Sequence, residues 1–102
     1  MKLNINEIYF EIEISDNSIF DTFLKIAENL KKKLNIKFTQ KIDNLDNYYW
    51  DFIYEKVLLT LHYNYIIGIS IFPVSLKETN NTENMAVENL YTKIKFHFNF
   101  SI

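Results

Sequence analysis

The chain reads as an α+β protein: a two-layer sandwich in which an antiparallel β-meander is covered by two helices, in the order β-α-β-β-β-β-α. Three observations predict it. Residues 48–72 hold runs of apolar and aromatic side chains at period two, separated by short polar breaks. Two other segments, 19–34 and 86–94, repeat their apolar residues at helical spacing instead. A sheet with one apolar face needs a cover, and two amphipathic helices supply one.

The first strand is expected within residues 5–14. Ile8, Phe10, Ile12 and Ile14 point one way and Glu7, Tyr9, Glu11 and Glu13 the other, the pattern of a half-buried strand. Ser15-Asp16-Asn17-Ser18 breaks it. Ser18 and Asp21 resemble a capping box, and Asp16 and Asp21 suit the positive end of a helix. Ile19, Phe23, Ile26, Ala27, Leu30 and Leu34 form the apolar stripe of that helix. Lys31, Lys32 and Lys33 complement the dipole at its last turn, and Asn35 ends it. Ile36, Phe38 and Ile42 suggest a short strand with Lys37, Thr39 and Lys41 outward. The turn-rich run Asp43-Asn44-Leu45-Asp46-Asn47 follows.

In the central segment, a two-residue turn at Glu55-Lys56 pairs Tyr54 with Val57, Phe52 with Leu59, Trp50 with Leu61 and Tyr48 with Tyr63. Every pair is apolar or aromatic. A loop at Asn64-Tyr65-Ile66 then pairs Tyr63 with Ile67, Leu61 with Ile69 and Leu59 with Ile71, and Pro73 stops the strand. Residues 74–83 read as a loop. Asn81 or Thr82 is the expected cap of a second helix whose stripe is Ala86, Val87, Leu90, Tyr91 and Ile94. Phe96, Phe98, Phe100 and Ile102 alternate as a strand would, but the helical period runs on without a break, so the helix is expected to reach about Phe98.

Composition bounds the function. The 102 residues fit a single domain spanning 1–102, with 48% hydrophobic and 17% aromatic residues and one glycine and one proline. There is no cysteine, hence no disulfide, thiolate site or Cys nucleophile, and a cytoplasmic location is expected. No stretch approaches the roughly 18 apolar residues of a membrane helix, so no membrane partner is expected. The net charge is −2 and all 11 basic residues are lysines. Without arginine, the preferred reader of bases and phosphates, nucleic acid is not an expected partner.

The polar side of the meander carries the candidate site. The expected registers place Asp51, Thr60 and Ser70 in one row and Tyr49, His62 and Gly68 in the next. A Ser, a His and an Asp on neighbouring strands raise the reading of a small hydrolase using His62. However, parallel side chains on a flat strand face, with no nucleophile elbow and no glycine-rich loop, do not assemble an oxyanion site. The two histidines, His62 and His97, lack metal-ligand spacing, and a single glycine rules out phosphate-loop and dinucleotide motifs. No cofactor, metal or catalytic residue is expected. Exposed Tyr49 with apolar Ile53 and Leu58 on the same face suits a partner patch instead. Asp43, Asp46, Asp51 and Glu55 suggest an acidic surface for a basic partner. The candidate partner-binding residues are therefore Asp43, Asp46, Tyr49, Asp51, Glu55, Thr60, His62 and Ser70.

The runs Tyr49-Trp50-Asp51-Phe52-Ile53-Tyr54-Glu55, Leu59-Thr60-Leu61-His62-Tyr63 and Gly68-Ile69-Ser70-Ile71 resemble small bacterial immunity proteins of contact-dependent inhibition and related polymorphic toxin systems. Where those proteins usually have glycine after the Tyr-Glu pair, this chain has Lys56. The resemblance implies a non-enzymatic protein, monomer or homodimer, that binds a cognate toxin and occludes its active site. Such toxins are often basic nucleases. A general interaction or regulatory module is the alternative expectation.

Overall fold

The computed structural model describes residues 1–16, 19–75 and 81–98. Six antiparallel strands and two helices make the expected α+β sandwich: β1 Lys2–Ile5, β2 Phe10–Ser15, α1 Phe20–Leu34, β3 Phe38–Asp43, β4 Asn47–Tyr54, β5 Val57–Asn64, β6 Gly68–Pro73 and α2 Asn81–His97. The spatial order is β1-β2-β6-β5-β4-β3. β3 to β6 form the meander, and β2 adds to its β6 edge across a long sequence separation.

The sheet has one strand more than the alternation predicts: the strand expected over 5–14 begins only at Phe10, and a turn at residues 6–9 lays Lys2–Ile5 alongside it. Asn6 Oδ1 accepts the backbone N–H groups of Ile8 (3.1 Å) and Tyr9 (2.9 Å). This side-chain-closed turn leaves Ile8 exposed and returns Leu3 beside Ile12. Ile12 and Ile14 are core residues as their spacing implies, although a bulge lies between Glu13 and Ser15.

Helix α1 starts after Ile19, which sits at the cap position without a side-chain cap; Ser18, the expected cap, lies outside the described residues. Asn35 closes the helix in the left-handed region (φ 55°), a conformation Asn tolerates better than most residues. The Ile36 N–H then bonds to the Leu30 carbonyl at 3.2 Å, turning buried Ile36 into the core. Helix α2 carries Ala86, Val87, Leu90 and Ile94 inward. It runs to His97, with the Phe98 N–H still bonded to Ile94, as the unbroken period predicts. Asn81 and Thr82 both lie in its first turn, and Phe100 and Ile102 lie outside the described residues.

Both helices cover the same sheet face. Phe23 of α1 contacts Tyr48, Trp50 and Tyr63 edge-on or tilted, with ring centroids 6.0, 4.8 and 5.6 Å away. Such contacts add about 0.5–1.5 kcal/mol each beyond simple burial. α2 packs on β2, β5 and β6, and Asn84 Oδ1 ties it to the Phe10 N–H at 3.2 Å. Between the layers lie Ile12, Phe23, Leu30, Phe52, Leu59, Leu61, Ile71 and Leu90, all fully buried. Trp50 is half-buried at the margin of this core. Its Nε1–H donates to Asp43 Oδ1 at 2.9 Å, and the Lys41 ammonium lies 4.2 Å from its ring centroid. Among the described residues no helix is long and apolar enough to cross a membrane.

Two strand expectations are corrected. In β3 the register shifts between Phe38 and Gln40, so Phe38 and Ile42 do not share a face. Phe38 meets Phe52 on the helix side, whereas Ile42 meets Tyr49 on the other and Lys41 sits beside Trp50. One extra residue in the bulge inverts every side chain beyond it. The β4–β5 hairpin has the expected register throughout, from Tyr54↔Val57 to Tyr48↔Tyr63. The β5–β6 hairpin, by contrast, is displaced by two residues. Its pairs are Tyr63↔Ile69, Leu61↔Ile71 and Leu59↔Pro73, with Tyr65-Ile66-Ile67 as the loop. The reason is Gly68, whose φ of +113° is a conformation reserved for glycine. A Cβ there would lie 2.3 Å from the Ser15 carbonyl oxygen. Gly68 is therefore the residue that leaves the loop and passes the end of β2.

Candidate functional site

The second face of the sheet carries neither helix. Alternate residues of every strand emerge on it, and the observed registers order them. One row runs Ile42, Tyr49, His62, Ser70 and Glu13; the next holds Gln40, Asp51, Thr60 and Phe72. The two-residue displacement of β6 thus moves Ser70 beside His62, where Gly68 was expected, and sets Phe72 beside Thr60, where Ser70 was expected. Ile53 and Leu58 pair at the far end of the face and are exposed.

The centre of the face is an aromatic ladder. Tyr49 stacks on His62 with centroids 4.6 Å apart and planes at 18°. Phe72 meets the other side of the imidazole edge-on at 5.5 Å, and Tyr9 lies 6.3 Å beyond Phe72. Tyr9 and Phe72 are members that spacing alone did not reveal. The alternation of Phe72 with buried Ile71 did mark it as facing away from the core, but its neighbours there followed only from the true register.

A chain of hydrogen bonds fixes the tautomer of His62. Asn64 Oδ1 accepts the N–H groups of Ile66 (2.8 Å) and Ile67 (2.9 Å), which can only donate. Its Nδ2 therefore faces Asn47 Oδ1, 2.9 Å away, and donates to it. The same Asn47 Oδ1 lies 2.8 Å from His62 Nε2, so that nitrogen carries the proton and Nδ1 the lone pair. Burial lowers the His62 pKa below its ordinary value and favours this neutral form. His62 is thereby a rigid, uncharged, aromatic acceptor on an open surface. No hydrogen bond joins Ser70 to His62 among the described residues, and no three His, Asp or Glu side chains converge there to hold a metal ion.

Of the other candidate residues, Asp51 and Thr60 stand side by side as expected, in the row next to Tyr49 and His62, and the rest are scattered. Asp51 and Thr60 lie at the foot of the face, only 8% and 2% exposed, and the Thr60 hydroxyl has no partner among the described residues. Asp43 is bound to Trp50 at the rim of the helix side. Asp46 is exposed in the β3–β4 turn, whereas Glu55 occupies the β4–β5 turn at the opposite end of β4. There its Oε1 accepts Asn89 Nδ2 at 3.1 Å. Asp43, Asp46, Asp51 and Glu55 therefore do not form one acidic patch, because a strand of eight residues separates its two ends. Tyr49, His62 and Ser70 stand side by side in one row and Asp51 and Thr60 in the next, the latter pair buried.

Comparison with protein families, with curated proteins and with solved structures finds no match to this chain.

Proposed function

We propose that this protein is an immunity protein: it binds a cognate toxin domain with fixed stoichiometry and neutralises it by occlusion, without catalysis of its own. The observation that carries the reading is the uncovered sheet face with its Tyr49–His62–Phe72 ladder. Aromatic side chains held in place by packing suit a binding surface, since little side-chain freedom is lost when a partner covers them. The neutral His62 adds an acceptor without a charge to desolvate. The resemblance of the central sequence runs to those of immunity proteins favours the same reading, and under it the protein acts in the cytoplasm.

The test is co-expression with the product of the adjacent gene, followed by size-exclusion chromatography and a growth assay. A 1:1 complex that restores growth is expected. Tyr49→Ala and Phe72→Ala should each weaken it about tenfold or more, the loss of one well-packed aromatic anchor. A neighbour that is not toxic and forms no complex overturns the reading. Binding of several unrelated proteins through the same face would instead identify a general interaction module.

A further inference from the structure

The end of the sheet where β3 meets β4 and β5 meets β6 inverts the usual chemistry of turns. The asparagines of these two turns, Asn44, Asn47 and Asn64, are used in hydrogen bonds within and between the turns. Asn44 Oδ1 accepts the Asn47 N–H at 3.0 Å, the Asn44 N–H bonds to the Asn47 carbonyl at 2.9 Å, and Asn64 closes the second turn through Ile66 and Ile67. The turns are also joined, by the Asn64–Asn47 side-chain bond of 2.9 Å and by the Tyr65 N–H to the Asp46 carbonyl at 3.4 Å. The side chains that project are apolar: Leu45 is 99% exposed, Ile66 72%, Ile67 71% and Tyr65 52%. A scattered exposed leucine is ordinary, but here four large apolar side chains project from two turns that hydrogen bonds hold together, an apolar patch at one end of the sheet.

Acidic side chains predominate around the patch, and the two nearby lysines are engaged, Lys41 over the Trp50 ring beside Asp43 and Lys2 against Glu13. Asp43 and Asp46 flank Leu45, and both are exposed. Exposed Asp16 follows Ser15, against which Gly68 packs, and exposed Asp21 is in the first turn of α1, whose Phe20 contacts Tyr48 and Tyr63 beside these turns. No lysine occurs between Lys41 and Lys56 or between Lys56 and Lys77. The triple lysine lies at the far end of α1.

We infer that this tip is a second docking surface, and that it takes a protein partner presenting an apolar groove bordered by lysine or arginine side chains. The apolar side chains supply the contact and the four aspartates select the sign of the rim. The same aspartates repel an anionic lipid surface. The surface adjoins the ladder face at Asn47 and Asn64 but presents different side chains, so it is tested without the toxin.

The probe is a pair of amphipathic peptides with the same leucine face, one flanked by lysines and the other by glutamates, titrated into the whole protein with its methyl groups isotopically labelled. The lysine-flanked peptide is expected to shift the methyl signals of Leu45, Ile66 and Ile67, and to bind at least tenfold more weakly at high salt. Leu45→Ser and Ile66→Ser should each weaken it tenfold or more. Ile53→Ser, at an exposed position toward the opposite end, should leave it unchanged. Equal binding of the glutamate-flanked peptide, shifts confined to other methyls, or no binding of either peptide overturns the inference. So does sedimentation of the protein with phosphatidylcholine vesicles through these side chains, or a self-associated dimer that Leu45→Ser dissolves.

Discussion

Gly68 and His62 are the two residues whose individual chemistry matters most. Gly68 is the single glycine of the chain, and its backbone occupies a conformation closed to other residues while passing the Ser15 carbonyl. Gly68→Ala combines an unfavourable φ with a steric overlap against backbone, which cannot swing aside. A loss of roughly 2–4 kcal/mol of stability is expected, read from the urea midpoint. His62 makes stability depend on pH, and the sign follows from its lowered pKa. The unfolded chain takes up the proton near pH 6.5 and the folded chain only at lower pH. The neutral form therefore stabilises the fold above about pH 6.5, and the contribution is lost as pH falls through the folded value. Urea midpoints should decline between pH 7.5 and pH 5, and the His62→Gln protein should show a smaller decline over that window. An equal decline in both proteins would show that the effect does not come from His62. Neither feature is visible as a motif. The glycine was legible as an exception, but the carbonyl it passes is more than fifty residues away.

Among the elements, the β4–β5 hairpin joins local chemistry to long-range order most clearly. Glu55 and Lys56 have φ of 51° and 66°, so both central turn residues are held in the left-handed region. Positive φ at both positions marks the turn type that matches strand twist, which Asn-Gly favours and Glu-Lys does not. The cross-strand pairs Tyr54↔Val57, Phe52↔Leu59 and Trp50↔Leu61 hold the turn against its own preference. Replacing Glu55-Lys56 by Asn-Gly should therefore stabilise the protein by about 1 kcal/mol, even after loss of the exposed bond to Asn89. A midpoint that falls would mean that the turn residues contribute more than their conformation suggests. The hairpin's register was readable in the sequence because both strands are anchored by the same short turn. β3 was not readable to the same degree. Its bulge at Thr39 is a single added residue, and the reversal it causes leaves Lys41 and Ile42 on the faces opposite to those that simple alternation assigns.

At the scale of the molecule, the two layers meet in an aromatic cluster centred on Phe23. Its ring touches Phe20, Tyr48, Trp50 and Tyr63, and it is fully buried. Phe23→Ala should cost about 3–5 kcal/mol, a large part of the ~5–15 kcal/mol by which a domain of this size is stable. Trp50, the sole tryptophan, reports the event directly, because its ring lies 4.8 Å from that of Phe23. Its fluorescence should shift to longer wavelength at a lower urea concentration than in the parent protein. A midpoint changed by less than a third would show that α1 is held by its other buried residues, Ile26, Ala27 and Leu30. The placement of both helices on one face is also what leaves the Tyr49–His62–Phe72 ladder open.

The sequence by itself determined the two helices and the strands of the meander, the apolar face of each except β3, the β4–β5 pairing and the membership of Tyr49, His62 and Ser70 on the polar side. These depend on periodicity and on contacts close in the chain. Only the tertiary structure decided the β5–β6 register, the turn at Asn6, the inversion of β3 and the union of β2 with β6. The physical reason is the two-residue period of a strand. A slip of two leaves every side chain on its original face, so the hydrophobic pattern is equally satisfied in either register. The choice falls to contacts between distant segments, here the passage of Gly68 beside the Ser15 carbonyl. That choice set Ser70 rather than Gly68 beside His62, and so decided which side chains are neighbours on the open face.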